Sequence, residues 1–247
     1  MALLHKSNVI FKGEKIILGL ALVYLFILIH FLAVRSGILI LYVNLFVFFI
    51  IRTIRSKKYI LGIAFIVGIT ATPFIAYLSI PTFKEKVQYS ILDFKMSKQD
   101  KEVAFSDGER LRSYEVGWEL FAKGPIGGIG VGDIFKEYED LYEVKYFIKS
   151  PTRLPHNQFL TIAVSTGMVG LLFFLISFIF PFTFQSAYKD PFLLALFILM
   201  FLSFLVENTI ERQYSVGFYL IFLLLGLNTF SQNTVALDEN EKVRKDH

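Results

Sequence analysis

Three arginines and one histidine are the residues of this sequence best suited to chemistry on an anionic ligand. Arg35 lies between two apolar runs, Arg110 and Arg112 open a charged segment with helical periodicity, and His156 directly precedes another apolar run. Guanidinium groups bind phosphate through paired hydrogen bonds, and a helix N-terminus adds partial positive charge. Imidazole, with an unperturbed pKa of about 6.5, exchanges protons near neutral pH. These residue types suit diphosphate binding and proton transfer.

Each of these residues also has a structural interpretation, which the sequence leaves open. Arg35 could be an interfacial arginine that extends its charged end into water, although its place on the side of the membrane with few basic residues favours an anion site. Arg110 and Arg112 could form solvent-exposed pairs with neighbouring glutamates, and His156 could be a helix-cap residue. Three further residues are candidates for support of the site: Arg153, Asn157 and Arg212. Glu207 and Arg212 are interpreted as an interfacial pair, which could also line the site.

Other kinds of chemistry find little support. The chain has no Cys, which excludes thiol nucleophiles, disulfides and cysteine-ligated metals. The glycine-rich run 127–132 is followed by Asp133 and lacks the Gly-Lys-Ser/Thr of a phosphate-binding loop, so it predicts a tight turn. The histidines do not have the spacing of metal ligands. We therefore expect no metal and no cofactor.

The elements that position these residues are predicted to be membrane-spanning helices. The 247-residue chain is 55% hydrophobic and 19% charged, with a mean hydropathy of +0.57, whereas soluble domains carry about 25% charged residues. Charge-free runs of roughly the 17–25 residues that a span needs recur along the chain. They are residues 16–34, 36–51, 59–83, 154–188, 192–206 and 213–237. The predicted fold is an all-α polytopic membrane helix bundle with about six transmembrane helices.

The first two runs require a turn between them, near residues 35–37. As one helix, residues 16–51 would be about 54 Å long at 1.5 Å per residue, which is far longer than a bilayer core. The run 16–34 contains His30, for which a packing role is the better interpretation, and it lacks a signal-peptide cleavage site. It is therefore retained as the first span.

The distribution of Lys and Arg predicts the orientation. Eleven lie in the segments on one side of the predicted spans, whereas the short segments on the other side hold only Arg35 and Arg212. By the positive-inside rule, both termini are cytoplasmic. The predicted organisation is spans 1–3 in residues 1–83, an extracytoplasmic loop in 84–155, spans 4–6 in 156–237 and a cytoplasmic tail in 238–247. No basic cytosolic domain is available for nucleic acid.

The predicted loop is too long to be a simple connector. Its polar first part, residues 84–107, is interpreted as mobile. Residues 109–123 predict an amphipathic helix, lying on the membrane surface or packed on the spans, with Leu111, Tyr114, Trp118 and Phe121 at helical spacing. Gly124 and Pro125 end this helix, and a second short helix is predicted over residues 134–148.

The order and separation of several segments resemble the C-terminal half of the O-antigen ligase and polymerase superfamily. The similar segments are residues 33–37 around Arg35, Arg110-Leu111 before the amphipathic helix, the run 124–130, and residues 155–160 leading into 167–172. Members of that family usually carry more spans before the segment that contains Arg35. The resemblance covers roughly residues 16–230.

The resemblance implies a GT-C-like enzyme of the bacterial inner membrane that transfers a glycan from undecaprenyl diphosphate to an acceptor hydroxyl without a metal. His156 would be the base or orienting group for the acceptor, and Arg35 and Arg110 would bind the diphosphate, with Arg112 as the alternative to Arg110. The implied partners are the lipid-linked glycan, lipid A core or another hydroxyl acceptor, and membrane lipids.

The acceptor remains open at the level of the sequence. Lipid A core would make the protein a ligase, which we favour, a second lipid-linked glycan would make it a polymerase, and a protein hydroxyl an oligosaccharyltransferase. A transporter or non-catalytic assembly subunit would carry polar groups in the middle of its spans. The predicted spans hold little of this kind beyond His30, Asn44 and Pro73, and the unusual charges gather at the outer edge, which favours an enzyme.

Overall fold

The computed structural model describes residues 12–99, 106–147 and 154–245, and every regular element in these ranges is helical. The predicted all-α class is therefore confirmed. The helices are α1 (Lys12–Phe31), α2 (Arg35–Ser56), α3 (Tyr59–Ser79), α4 (Pro81–Gln99), α5 (Ser106–Lys123), α6 (Ile134–Tyr146), α7 (Gln158–Thr183), a 3-10 helix (Phe184–Lys189), α8 (Pro191–Val206) and α9 (Gln213–Lys245).

Five helical segments in the described ranges are long and apolar enough to cross a membrane. They are Gly13–Phe31, Arg35–Ser56, Tyr59–Ser79, Gln158–Lys189 and Gln213–Gln232. The sixth predicted span corresponds to α8, which is equally apolar but has only 16 residues. Most side chains of the five segments are exposed on the surface of the chain, as lipid-facing helices require. The polytopic membrane bundle is thus confirmed, with five full-length spans and one shorter apolar helix.

The chain forms two compact units, Met1–Gly108 and Glu109–His247. In the first unit, α1 ends at Phe31 and α2 begins at Arg35, so the predicted turn exists but lies at residues 32–34, just before the predicted position. Ala33 adopts a left-handed conformation there. His30 is buried and has the packing role that the sequence indicated. Its Nδ1 lies 2.7 Å from the carbonyl oxygen of Phe26, and its Nε2 lies 2.9 Å from the hydroxyl of Tyr42.

For residues 84–99, helix α4 corrects the interpretation of the segment 84–107 as mobile. Residues 106 and 107 belong to α5, and residues 100–105 lie outside the described residues. Its polar side chains bind the C-terminal end of α1: the Thr82 hydroxyl donates to the Phe31 carbonyl at 3.0 Å, and Lys86 Nζ donates to the Leu32 carbonyl at 3.0 Å. Carbonyls at a helix end have no partner within the helix, so they need such donors. Polar composition here reflects helix capping rather than mobility.

In the second unit, α5 and α6 pack against the first turns of α7. Every fourth residue of α6 is buried, and these side chains contact Val116 and Leu120 of α5 and Leu160 and Val164 of α7. They are Ile134, Tyr138, Tyr142 and Tyr146. Both helices predicted for this segment are confirmed within a few residues.

The structure shows which side of α5 packs against protein, a point that the sequence left open. Val116 and Leu120 are fully buried, whereas Leu111 and Trp118, which the sequence placed on the apolar face, are largely exposed. Helical periodicity identifies both sets of residues but does not say which one meets protein.

The predicted glycine-rich turn is confirmed, and it joins α7 through the main chain. The Ile129 amide donates to the Val164 carbonyl at 2.9 Å, and the Met168 amide donates to the Pro125 carbonyl at 2.9 Å. The helical conformation of α7 is interrupted at Gly167, with φ of 68°, and Gly128 in the turn has φ of 76°. This pairing fixes the loop helices to the start of α7.

Gly128→Ala is expected to destabilise the second unit strongly. A Cβ there would overlap the backbone of Ser165, and a positive φ costs a non-glycine residue roughly 1–3 kcal/mol even without overlap. Thermal unfolding in detergent, followed by the emission of the chain's single Trp, measures the loss. The matched control is Gly127→Ala, whose Cβ would enter open space. Equal midpoints for the two variants would contradict the tight pairing.

Candidate active site

A single carboxylate joins the two residue types that the sequence selected for chemistry. Glu207 Oε1 lies 2.6 Å from Arg110 Nη2, and Glu207 Oε2 lies 3.1 Å from His156 Nδ1. Arg110 lies in the second turn of α5, His156 lies two residues before α7, and Glu207 directly follows α8. Residues far apart in the sequence thus meet where three helices begin or end. About a third of each side chain is exposed, so a ligand can reach the cluster.

The backbone at His156 is fixed from two directions. The Tyr114 hydroxyl of α5 donates to the His156 carbonyl at 2.8 Å. Asn157 is the N-cap of α7: its Oδ1 accepts from the Leu160 amide at 3.0 Å, and its Nδ2 donates to the Leu205 carbonyl at 3.3 Å. Asn157 therefore caps α7 and connects it to α8, whereas the imidazole of His156 is hydrogen-bonded to Glu207.

The first turn of α7 also holds the turn that carries Glu207. Gln158 is buried, and its Oε1 accepts from the Ile210 amide at 2.9 Å while its Nε2 donates to Glu211 Oε1 at 3.2 Å. The Thr161 hydroxyl donates to Asn208 Oδ1 at 2.9 Å. These side-chain contacts fix the position of Glu207 relative to His156.

The electrostatics of the cluster keep Glu207 ionised. The hydrogen bond from His156 lowers the pKa of Glu207 most, and partial burial opposes this. The charge of His156 in its protonated form, and those of Arg110 and Arg212, lower the pKa further. A carboxylate accepts the Nδ1 proton of a neutral imidazole and leaves the lone pair on Nε2. Catalytic triads use the same arrangement, in which a carboxylate orients the histidine that acts as the base. His156 is thereby suited to accept a proton at Nε2.

Arg110 and Arg112 have different surroundings. The Arg110 side chain is 29% exposed beside Glu207, whereas Arg112 is buried. Arg112 Nη1 lies 3.2 Å from Glu109 Oε1, and its guanidinium carbon lies 4.9 Å from the centre of the Tyr146 ring. A guanidinium group over an aromatic face is held by cation–π attraction. Arg112 thus connects α5 to α6, while Arg110 faces the cluster.

The other residues selected from the sequence have separate positions. Arg35 begins α2 in the first unit, where its Nη1 donates to the Ser90 hydroxyl at 2.7 Å. Arg212 is exposed and donates to the Tyr214 hydroxyl at 2.7 Å. The sequence also suggested an interfacial pair of Glu207 with Arg212. The carboxylate instead contacts Arg110 and His156, with Arg212 near enough to influence its pKa. Arg153 lies outside the described residues.

The cluster offers little to a metal ion. Within the three ranges that the structure describes, no group of three His, Asp or Glu side chains is arranged to hold one. Each oxygen of Glu207 already contacts a nitrogen of a neighbouring side chain. The cation that contacts Glu207 here is the Arg110 guanidinium.

The sequence indicated Glu207 only as one of a pair that could line the site, and it gave Tyr114 only a packing role. Glu207 could have been recognised in the sequence as an acidic residue directly after an apolar helix. A charge at such a position is costly unless it has a partner.

Comparison with known proteins agrees with these observations. A family model described as O-antigen ligase matches residues 20–175, which include Arg35, Arg110, Arg112 and His156 but not Glu207. A comparison with curated proteins finds no match. The family and the apolar helices together identify a bacterial membrane protein. Because the match covers more than half of its residues, the chain belongs to the O-antigen ligase family.

Proposed function

We propose that the protein transfers a glycan from undecaprenyl diphosphate to an acceptor hydroxyl, as an O-antigen ligase does, with lipid A core as the acceptor. The observation that carries the proposal is the contact of both Arg110 and His156 with Glu207 at the ends of α7 and α8. A proton acceptor beside a cation at the end of apolar helices suits a substrate whose diphosphate is attached to a lipid. Membership of the family supports the same reaction class.

In the proposed step, the acceptor hydroxyl attacks the anomeric carbon of the glycan. Its proton passes to Nε2 of His156 as the new carbon–oxygen bond forms. The bond from the anomeric carbon to phosphate breaks, and its electron pair stays on undecaprenyl diphosphate. In-line attack inverts the anomeric centre. Glu207 stabilises the imidazolium that results, and Arg110 stabilises the charge that develops on the leaving diphosphate.

We assign Arg35 a phosphate-binding role as well, on the basis of the family resemblance. Arg35 is the first residue of α2, where backbone N–H groups add partial positive charge. The first turn of α2 carries no acidic residue that would repel an anion. The guanidinium also donates a hydrogen bond to the Ser90 hydroxyl, which holds its Nη1 atom in place.

The proposed orientation follows the positive-inside rule, with both termini cytoplasmic and the segment 84–155 outside the inner membrane. In this orientation Arg35, Arg110 and His156 all lie on the outer side. The protein would then act on lipid-linked glycans that have already crossed the membrane.

Transfer by the purified protein in vesicles tests the proposal. Undecaprenyl-diphosphate-linked glycan is supplied with lipid A core, with a second lipid-linked glycan or with acceptor protein, and released undecaprenyl diphosphate and glycosylated acceptor are measured. We expect transfer to lipid A core, unchanged by EDTA. Arg35→Ala is expected to lower the rate about 10²–10³-fold, as loss of a charge-stabilising donor does.

Arg52→Ala is the matched control, since Arg52 is exposed near the opposite end of α2. Its rate is expected to equal that of the unmodified protein. Transfer to one of the other acceptors would replace the ligase assignment by polymerase or oligosaccharyltransferase. Absence of undecaprenyl diphosphate release with all three acceptors would overturn the enzymatic proposal.

A further inference from the structure

Helix α5 carries an exposed apolar face in addition to its buried one. Leu111 is 49% exposed and Trp118 is 62% exposed. They are seven residues apart and therefore lie on the same side of the helix. Tyr114 and Phe121 border this side, and the Phe121 ring meets the Trp118 ring edge to face at 5.8 Å. We call these four residues the outer face of α5.

The outer face lies at the level where two apolar helices end. Tyr114 donates to the His156 carbonyl at 2.8 Å, and its hydroxyl lies 3.5 Å from the Leu205 carbonyl. His156 lies two residues before the start of α7, and Leu205 is the penultimate residue of α8. Leu205 is itself exposed, so the apolar surface of α8 continues towards the outer face of α5. Trp118 follows Tyr114 by one helical turn.

The negative charges that border the outer face are partly compensated by a lysine. Glu115 and Glu119 lie along one edge, and Lys145 of α6 contacts both, at 2.9 Å and 2.7 Å. The hydrogen bonds to Glu119 and Glu115 raise the pKa of Lys145, which keeps it cationic. Two carboxylates without a cation would resist an approach to lipid phosphates, because like charges repel. With Lys145 between them, this edge is compatible with a lipid headgroup layer.

We propose that the outer face of α5 docks into the headgroup region of the bilayer, with Trp118 as its anchor and phospholipid as its occupant. Trp and Tyr prefer the membrane–water interface because their rings are apolar and their N–H or O–H groups need polar partners. Helices with one apolar and one polar side bind in the plane of the interface. This inference is independent of the transfer reaction, and it accounts for how Arg110, on the same helix, is kept at headgroup level.

The chain's single Trp allows a direct test. The protein is placed in nanodiscs of phospholipid brominated either near the ester linkage or near the acyl-chain end, with no glycan donor present. We expect Trp118 to lose most of its emission with the first lipid and clearly less with the second, and to be shielded from aqueous acrylamide. Leu111→Glu, which places a charge on the same face, is expected to reduce bromolipid quenching and shift the emission to longer wavelength.

Two controls calibrate the depth in a Trp118→Phe background. Phe173→Trp places the probe on a 66% exposed position within the span of α7 and is expected to respond most strongly to bromine near the chain end. Glu139→Trp places it on the charged, exposed side of α6 and is expected to respond to acrylamide alone. If Trp118 behaves like the Glu139→Trp probe, or if neither quencher reaches it, the proposal is overturned.

Discussion

Replacing His156 by alanine is expected to lower the turnover of glycan transfer by about 10²–10⁴-fold, the range that a general base contributes. The variant lacks the proton acceptor that Glu207 orients, so the acceptor hydroxyl must attack while still protonated. The variant is expected to fold. The imidazole is partly exposed, and within the described residues its side-chain hydrogen bond is to Glu207. The carbonyl of residue 156 can still accept the hydrogen bond from Tyr114. Single-turnover release of undecaprenyl diphosphate measures the effect.

His247→Ala, which changes a histidine in the C-terminal tail, is the control for histidine loss as such. Its rate is expected to match that of the unmodified protein. A His156→Ala variant that transfers at the normal rate would exclude the proposed role of His156 as base, whatever the fate of the other assignments.

Glu207→Gln separates positioning from catalysis in the same experiment. If Glu207 acts through His156, the amide variant lowers kcat and leaves the KM for the acceptor nearly unchanged. A variant that combines His156→Ala with Glu207→Gln is then expected to be about as slow as His156→Ala alone, because the effects of substituting residues that act as a unit do not add. A further large loss in the double variant would show that Glu207 acts independently of His156, for example through Arg110.

The spans could be predicted because their signal is local. A run without charged residues, long enough to cross a bilayer, is visible in the sequence itself, and so is the turn near Arg35 between two such runs. The resemblance also selected Arg110 and His156, which the structure brings together on Glu207. The bridging role of Glu207 could not be predicted, since its partners come from distant parts of the chain and no periodicity relates them.

Two features of the loop have one physical cause. The segment that begins at Lys84 looked mobile because it is polar, and the sequence left open whether the side of α5 that holds Leu111 and Trp118 meets lipid or protein. In the structure, Lys86 binds the end of α1, and Leu111 and Trp118 are exposed. Hydropathy records what a side chain prefers, but in a membrane protein an apolar face can meet either lipid or protein, and polar groups can bind helix ends.

Arg110→Ala is expected to lower kcat/KM for the lipid-linked donor by about 10²–10³-fold, the loss that follows removal of one group stabilising a developing anion. The guanidinium uses Nη2 to contact Glu207, and its other donors remain for phosphate oxygens. Arg110→Lys is expected to recover only part of the loss, because an ammonium group cannot bind Glu207 and phosphate with the same planar geometry. Donor titrations of both variants in vesicles measure the effect.

Comparison of Arg112→Ala with Arg110→Ala separates a structural role in folding from a role in diphosphate binding. The substitution removes a buried cation that pairs with Glu109 and stacks over the Tyr146 ring. The contact with Tyr146 joins α5 to α6. Breaking a buried ion pair can cost about 3–5 kcal/mol, so the thermal midpoint of this variant should fall while the rate per folded molecule is largely kept. Arg110→Ala is expected to lower the rate per folded molecule and to leave the thermal midpoint nearly unchanged, since the Arg110 side chain is partly exposed to solvent. If Arg112→Ala lost activity at an unchanged midpoint, the diphosphate would have to be assigned to Arg112, and the Glu207 cluster would lose its cation for the leaving group.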